Sequence, residues 1–179
     1  MSFGHIVLAN SKKGIVPAII RFFTRSKFSH SLITTASLHG APMCLEAAGS
    51  GVNALRFDLG YIENPTQEFI IFHVCLPDLT KDKALRSVLA QLEVQYGALE
   101  LLWFMWRAIN RWIGRDIKSQ NNWVKSGIIC SELCRMYLTE CGLGELFKDF
   151  GEGSLNAEDL YQIILANPNL FQLIPNSRN

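Results

Sequence analysis

The stretch "KFSHSLI" (residues 27–33) decides how the rest of the chain is interpreted. It has the short, apolar character of a buried strand, yet a polar Ser-His-Ser step lies in its middle. A histidine in an apolar strand needs a polar partner, because burying an imidazole without a hydrogen bond is costly. The stretch therefore raises the question of what His30 faces.

A second stretch, "GIICSELCRMYL" (127–138), offers a partner. Cys130 stands at the start of an apolar helix, where the helix dipole and free N–H groups lower the pKa of a thiol. Beside an imidazole, such a thiol forms an ion pair and becomes an effective nucleophile near neutral pH. The backbone N–H groups of Cys130 and Ser131 would face a developing oxyanion. The two stretches together predict a cysteine–histidine dyad.

A third polar residue, Glu46, lies in the middle of the next predicted strand. A carboxylate on a neighbouring strand can bind the second ring nitrogen of His30 and fix the orientation of the ring. Each residue also has an ordinary interpretation. His30 can be a hydrogen-bonded structural residue, Cys130 a small buried hydrophobe, and Glu46 a solvated strand residue. Spacing alone leaves both interpretations open.

Composition limits the class of protein. The chain has 179 residues, of which 49% are hydrophobic and 18% are charged, so we expect residues 1–179 to form a single globular domain. A net charge of +1 argues against a nucleic-acid-binding protein. We see no signal-peptide pattern, and the longest apolar stretch (97–109) is too short for a transmembrane helix. Five cysteines without CxxC spacing indicate reduced thiols, as in the cytoplasm. No cofactor and no metal site are predicted.

The order of predicted elements indicates the fold class. Predicted strands cover residues 3–9, 28–35, 42–48, 52–57 and 68–76. Predicted helices cover residues 14–25, 78–96, 98–113, 130–142 and 153–167, the last with Ser154 or Asn156 as its N-cap. Strands cluster early and helices late, which predicts an α+β fold with one antiparallel sheet packed against helices.

The first predicted helix, "GIVPAIIRFFTR" (14–25), is amphipathic. Pro17 suits its first turn, where the missing N–H costs nothing. Two arginines, Arg21 and Arg25, mark one face. The apolar side chains share the other face: Ile15, Ile19, Phe22 and Phe23.

Three motifs in a fixed order carry a resemblance to a known family. They are "SHSLI" (29–33), "LEAAGSGV" (45–52) and "CSEL" (130–133). In this order the chain resembles the circularly permuted branch of the NlpC/P60 papain-like cysteine hydrolases, the YiiX- and YaeF-like permuted amidases. In that branch the histidine strand precedes the cysteine helix. The segment "SLNAEDLY" (154–161) resembles the terminal capping segment of the family, with Ala157 where proline is usual.

The resemblance covers nearly the whole chain and treats residues 98–126 as a helical insertion. It implies a papain-like fold with the catalytic cysteine at a helix N-terminus and no cofactor. By the resemblance, Cys130 is the nucleophile, His30 the base and Glu46 the third polar residue. Some relatives carry a tyrosine near the site where Tyr96 falls, which gives Tyr96 either a substrate-side role or a helix-end packing role.

The activity implied is hydrolysis of an amide, such as a peptidoglycan-type peptide, or of an acyl bond, through a Cys130 thiolate activated by His30 and oriented by Glu46. One alternative is a thioester acyltransferase, and another is a lipid hydrolase. A third is a non-catalytic module that binds a lipid or a partner on the same fold.

The segment "ALELLWFMWRAINRWIGRD" (98–116) combines three tryptophans with an arginine stripe, Arg107, Arg111 and Arg115. Aromatic residues with basic stripes are typical of interfacial helices on anionic membranes, so the helix 98–115 is a candidate membrane contact. The alternative is a helix packed on the sheet with its arginines in water. The first interpretation favours a lipid-linked substrate, and the second favours a peptide amide.

Overall fold

The computed structural model of the chain describes residues 3–48, 51–90, 110, 113, 128–151 and 154–175. The strands in this part are β1 (Ile6–Ser11), β2 (His30–Leu38), β3 (Ala41–Ala48), β4 (Gly51–Arg56), β5 (Gln67–Val74) and β6 (Phe171–Leu173). The α-helices are α1 (Ile15–Thr24), α2 (Asp78–Leu89), α3 (Cys130–Leu138) and α4 (Ala157–Ala166). A π-helical turn, Asp58–Ile62, follows β4.

The six strands form one sheet in the order β4-β3-β2-β1-β5-β6, and every neighbouring pair is antiparallel. The α+β class and the single antiparallel sheet packed against helices are thus confirmed. The short edge strand β6 was not predicted, because the sequence showed only an apolar tail there. It pairs with β5 through Phe72 and Leu173.

Alternation along the strands gives the sheet two buried faces. One face packs on the helices through residues such as Ile6, Leu8, Ile33, Leu45 and Phe72, which meet Leu133, Tyr137 and Leu160. The opposite face has a smaller apolar cluster, in which the strands pack against the π-helical turn Asp58–Ile62. Its members are Val7, Ala9, Leu32, Ile71, Phe57, Tyr61 and Phe69. Burial of this apolar surface is the main force that holds the sheet and helices together.

Helix α4 begins with a capping box, whereas no described side chain caps the N-termini of α1, α2 and α3. Asn156 caps α4 by accepting hydrogen bonds from the N–H groups of Glu158 and Asp159. In turn, the Asp159 side chain accepts a hydrogen bond from the N–H of Asn156. A second π-helical segment, Thr139–Leu143, follows α3. It contains Gly142, whose φ of 86° suits a residue without a Cβ.

Tyr96 and nearly all of the proposed insertion 98–126, including the membrane candidate 98–115, lie outside the described residues, so these assignments stay predictions. Among the helices that the structure does describe, none has both the length and the apolar character needed to cross a membrane.

Candidate active site

The pairing of β2 with β3 brings His30 next to Glu46. Glu46 lies opposite Leu32, and His30 is two residues from Leu32, so both side chains emerge on the same face of the sheet. His30 Nε2 lies 3.0 Å from Glu46 Oε2. Both side chains are largely but not fully buried, with 21% and 16% of their surface exposed. One nitrogen of the imidazole is therefore held by a carboxylate.

The sulfur of Cys130 reaches the same imidazole from the start of α3. Ile129, in an extended conformation, precedes the helix, and no described side chain caps it. The side chains of Cys130 and His30 are close enough for each to shift the pKa of the other. Because Glu46 takes Nε2, Nδ1 is the nitrogen left for the sulfur. The structure thus brings all three residues together in the order thiol, imidazole, carboxylate, and Cys130 keeps 9% of its surface exposed.

The charges in this row favour an ion pair. Burial raises the pKa of the Cys130 thiol, but the His30 charge and hydrogen bond, followed by Ser31, outweigh burial and lower it. Burial lowers the pKa of His30, but Cys130 and then Glu46 outweigh burial and raise it to about 10. Burial likewise raises the pKa of Glu46, while His30 and Tyr61 bring it below its ordinary value. These shifts favour the form in which Cys130 is a thiolate, His30 an imidazolium and Glu46 a carboxylate over the form with a neutral thiol and a neutral imidazole.

The other buried cysteines lack this environment. Burial raises the pKa of Cys44, Cys134 and Cys141. A raised pKa keeps a thiol protonated at neutral pH, and a protonated thiol is a poor nucleophile. Cys134, one helical turn after Cys130, shows that the position at the helix start and the contact with His30 are what distinguish the reactive sulfur.

Tyr61 belongs to the site and was missed by sequence reasoning. Its hydroxyl donates a hydrogen bond to Oε2 of Glu46. The ring is held by stacking on Phe57, with centroids 5.5 Å apart, and burial raises the pKa of Tyr61, so the hydroxyl remains a donor. The sequence around it reads as an ordinary polar turn, and a π-helical turn leaves no periodic signal.

The two serines beside the dyad have different contacts. The backbone N–H of Ser31 lies near the Cys130 sulfur and helps to lower the pKa of that thiol. The Ser31 hydroxyl is buried against the sulfurs of Cys130 and Cys134 without a hydrogen bond of regular geometry to any described residue. The Ser131 hydroxyl donates to the carbonyl of Leu155 at 2.6 Å. The side chain of Ser131 thus links the start of α3 to Leu155. Its backbone N–H is the group that we expect to face an oxyanion.

A cavity of about 490 Å³ lies beside the segment that precedes β2, and its lining does not include Cys130, His30, Glu46 or Tyr61. Its walls are mostly aromatic and aliphatic, with Phe28, Phe69, Phe72, Tyr161, Leu165 and Leu173 among the lining residues. Phe28 is two residues before His30. Phe69 pairs with Ala9, which pairs with His30, so its Cα is about 10 Å from that of His30 across two strand spacings. Lys27, Asn10 and Glu68 add polar groups to the lining.

Comparison with known proteins identifies the fold of this chain but not its family. No protein-family model matches the chain, and no curated protein matches it. The crystal structure of "metalloprotein yiiX from Escherichia coli O157:H7, DUF1105" does match, over 99% of this chain and 98% of that one, with a TM-score of 0.56 and 12% identity. The chain has a YiiX-like fold. At this identity the likeness shows the fold alone, and membership of the NlpC/P60 family is not confirmed.

That neighbour is described as a metalloprotein, so we asked whether the residues here fit a metal ion. In the described part of this chain, no three His, Cys, Asp or Glu side chains are arranged to hold one. The described residues therefore do not fit a resident metal, and no chemical step is assigned to one.

Proposed function

We propose that the protein is a cysteine hydrolase that cleaves an amide or an acyl bond through Cys130. The observation that carries the proposal is the hydrogen bond of 3.0 Å between His30 and Glu46, together with the proximity of Cys130 to His30, which lowers the pKa of the thiol and raises that of the imidazole. A thiolate at a helix N-terminus paired with an imidazole on a strand is the arrangement of papain-like enzymes. The YiiX-like fold, which is related to the papain-like fold, supports this assignment.

The first half of the reaction forms a thioester. The Cys130 thiolate attacks the carbonyl carbon, and the backbone N–H groups of Cys130 and Ser131 stabilise the oxyanion. His30 gives its proton to the leaving nitrogen or oxygen as the carbon–heteroatom bond breaks. Glu46 keeps the imidazole oriented and stabilises its charged form.

The second half releases the acyl group. Neutral His30 takes a proton from a water molecule, and the resulting hydroxide attacks the thioester carbonyl. The second tetrahedral intermediate collapses, expels the Cys130 thiolate and leaves a carboxylic acid. Because His30 again carries a proton, the ion pair is restored for the next turnover.

The apolar cavity next to Lys27 and Phe28 is a candidate site for part of the substrate. Its aromatic and aliphatic lining suits an apolar group, either an acyl chain or an apolar side chain of a peptide. Both proposed substrate classes, a peptidoglycan-type peptide amide and a lipid-linked acyl group, can supply such a group. Tyr96 remains a proposed substrate-side residue.

Two other functions use the same residues. In an acyltransferase, an amine or an alcohol replaces water in the second half-reaction. In a binding module on the same fold, Cys130 is not activated and no thioester forms. The row of Cys130, His30 and Glu46 favours the hydrolase over the module, since a binding site has no need of an activated thiolate.

The test is to trap the thioester. The full chain is mixed with aryl ester and anilide reporters of short and long acyl chains, quenched in acid, and analysed by mass spectrometry of its peptides. We expect an acyl adduct on Cys130 and steady release of product, and neither from Cys130→Ala. Added amines that divert the acyl group without changing the adduct would indicate the acyltransferase. Absence of an adduct with every reporter, in protein whose Cys130 reacts no faster than free cysteine, would overturn both enzymes.

A further inference from the structure

The hydroxyl of Ser31 is a buried polar group without a hydrogen-bond partner. The residue is fully buried, and among the described residues its oxygen is the one buried side-chain nitrogen or oxygen atom that lacks a partner. Leaving a buried hydroxyl unpaired is destabilising, and most buried hydroxyls in native proteins therefore have a partner. The exception at Ser31 needs an explanation.

The polar atoms near this hydroxyl are two sulfurs. Ser31 pairs with Leu8, and alternation along β2 turns its side chain to the face of the sheet that packs on α3, opposite to the face of His30. Burial raises the pKa of the Cys130 and Cys134 thiols. His30 opposes this rise at Cys130, and the nearby Ser31 hydroxyl opposes it at both. The hydroxyl therefore lies beside both thiols of the first helical turn.

Of these two sulfurs, Cys130 is the one that can become a charged acceptor. Neutral sulfur accepts hydrogen bonds poorly, whereas a hydrogen bond to a charged group is stronger than one between neutral groups. Burial keeps Cys134 protonated, but at Cys130 the charge of His30 outweighs burial. The Ser31 hydroxyl thus gains a strong acceptor when Cys130 ionises.

We propose that Ser31 is a further residue of the active site and that its hydroxyl donates a hydrogen bond to the Cys130 thiolate. The inference rests on the proposed hydrolase, because an uncharged Cys130 offers the hydroxyl no strong acceptor. Two neighbouring residues of β2 then stabilise the same sulfur. His30 does so with a charge, and Ser31 does so with a hydroxyl.

This hydrogen bond acts at the two points of the reaction where the sulfur is charged. In the resting protein it increases the fraction of Cys130 that is present as thiolate. In the thioester the sulfur is neutral, and the bond weakens. When the second tetrahedral intermediate collapses, the charge returns to the sulfur, and the hydroxyl stabilises the departing thiolate. The unpaired hydroxyl in the core is therefore a cost that the proposed chemistry offsets.

The experiment measures the Cys130 thiolate directly. Ultraviolet absorbance of thiolate is recorded against pH for the full chain and for Ser31→Ala, and the curve of the matching Cys130→Ala chain is subtracted from each. We expect the native chain to form thiolate below the ordinary range of cysteine. At a pH below both midpoints, Ser31→Ala should contain about tenfold less thiolate, which is the scale of a lost hydrogen bond to a charged group.

The matched control is Ser29→Ala, on the other side of His30. Ser29 is also buried, and its hydroxyl accepts a hydrogen bond from the N–H of Ser11. This variant should titrate like the native chain. Circular dichroism checks that all variants are folded, and Ser31→Ala removes only an oxygen atom, so the core stays packed.

Three results would overturn the inference. A curve for Ser31→Ala that coincides with the native curve removes the role of the hydroxyl and leaves the proposed hydrolase standing. Equal shifts in Ser29→Ala and Ser31→Ala show that both substitutions act through the position of His30. If the native chain forms no thiolate below the ordinary range of cysteine, the proposed hydrolase fails, and the inference fails with it.

Discussion

The Tyr61 hydroxyl donates its hydrogen bond to Oε2 of Glu46, the same oxygen that lies 3.0 Å from the His30 ring. Two contacts to this one oxygen help to keep the carboxylate beside the imidazole. The π-helical turn that carries Tyr61 is thus part of the proposed catalytic apparatus, although it touches neither the thiol nor the imidazole in the row of hydrogen bonds.

Tyr61→Phe removes the bond that helps to keep the Glu46 pKa low. Glu46 then takes up a proton at a higher pH than before, so the acid limb of the pH–rate profile shifts upward. We expect kcat to fall by about tenfold on that limb, which is the scale of a lost hydrogen bond to a charged group. The control is Tyr137→Phe, which removes a buried hydroxyl bonded to the Gly4 carbonyl away from the site. An unchanged acid limb in Tyr61→Phe would remove Tyr61 from the mechanism.

Glu46→Gln should lower kcat far less than Cys130→Ala. The amide oxygen of Gln can still accept from His30 Nε2, so the ring keeps its orientation and only the stabilising charge is lost. We expect roughly a 100-fold fall in kcat for Glu46→Gln, and no turnover for Cys130→Ala. The measurement is kcat of both variants by steady-state kinetics, compared with kcat of the native chain. If the Gln variant is as fast as the native chain, another group orients His30.

Alkylation measures the ion pair directly. The lowered pKa of Cys130 keeps a thiolate present below the ordinary range for cysteine, and His30 stays protonated until the pH rises through about 10. Iodoacetamide should therefore modify Cys130 at pH 6 about tenfold or more faster than free cysteine. His30→Ala should return the reaction to the pH dependence of an ordinary thiol.

The buried thiols provide the internal control for that experiment. Cys44 and Cys134 have raised pKa values and should remain unmodified in the folded chain at pH 6. Peptide mass spectrometry distinguishes the positions. Equal modification of Cys130 and Cys134 would contradict an activated thiolate at the helix start.

Filling the cavity should affect long substrates more than short ones. Leu165 is exposed at the cavity wall, and Leu165→Trp narrows the cavity without disturbing the core. We expect kcat/KM for a long acyl reporter to fall by about tenfold, with little change for an acetyl reporter. Leu59→Trp, on the π-helical turn, is the matched control. An equal loss for both reporters would place the substrate elsewhere.

The sequence predicts elements that have a strong local pattern. The strand at His30, the strand at Glu46 and the helix from Cys130 each carry a clear apolar pattern, and the structure brings the three side chains together. The capping side chain Asn156 was one of two candidates, because Ser154 and Asn156 are both good N-cap residues. The catalytic roles themselves stay predictions.

Other features leave no local signal. Strand β6 has only three residues, Phe171–Leu173, and exists because it pairs with β5. Tyr61 joins the site through a π-helical turn that periodicity does not reveal. The pattern of α1 shows that the helix is amphipathic, but not that Ile15 and Phe22 are exposed while Ile19 and Phe23 are half-buried.

The proposed nucleophile and the two residues proposed to activate it come from opposite halves of the chain. His30 and Glu46 are synthesised early, and Cys130 late. Before β2 and α3 meet, Cys130 lacks the imidazole that lowers its pKa in the folded chain. The reactivity that we propose for Cys130 therefore belongs to the folded protein alone, and an unfolded chain would carry an ordinary thiol at this position.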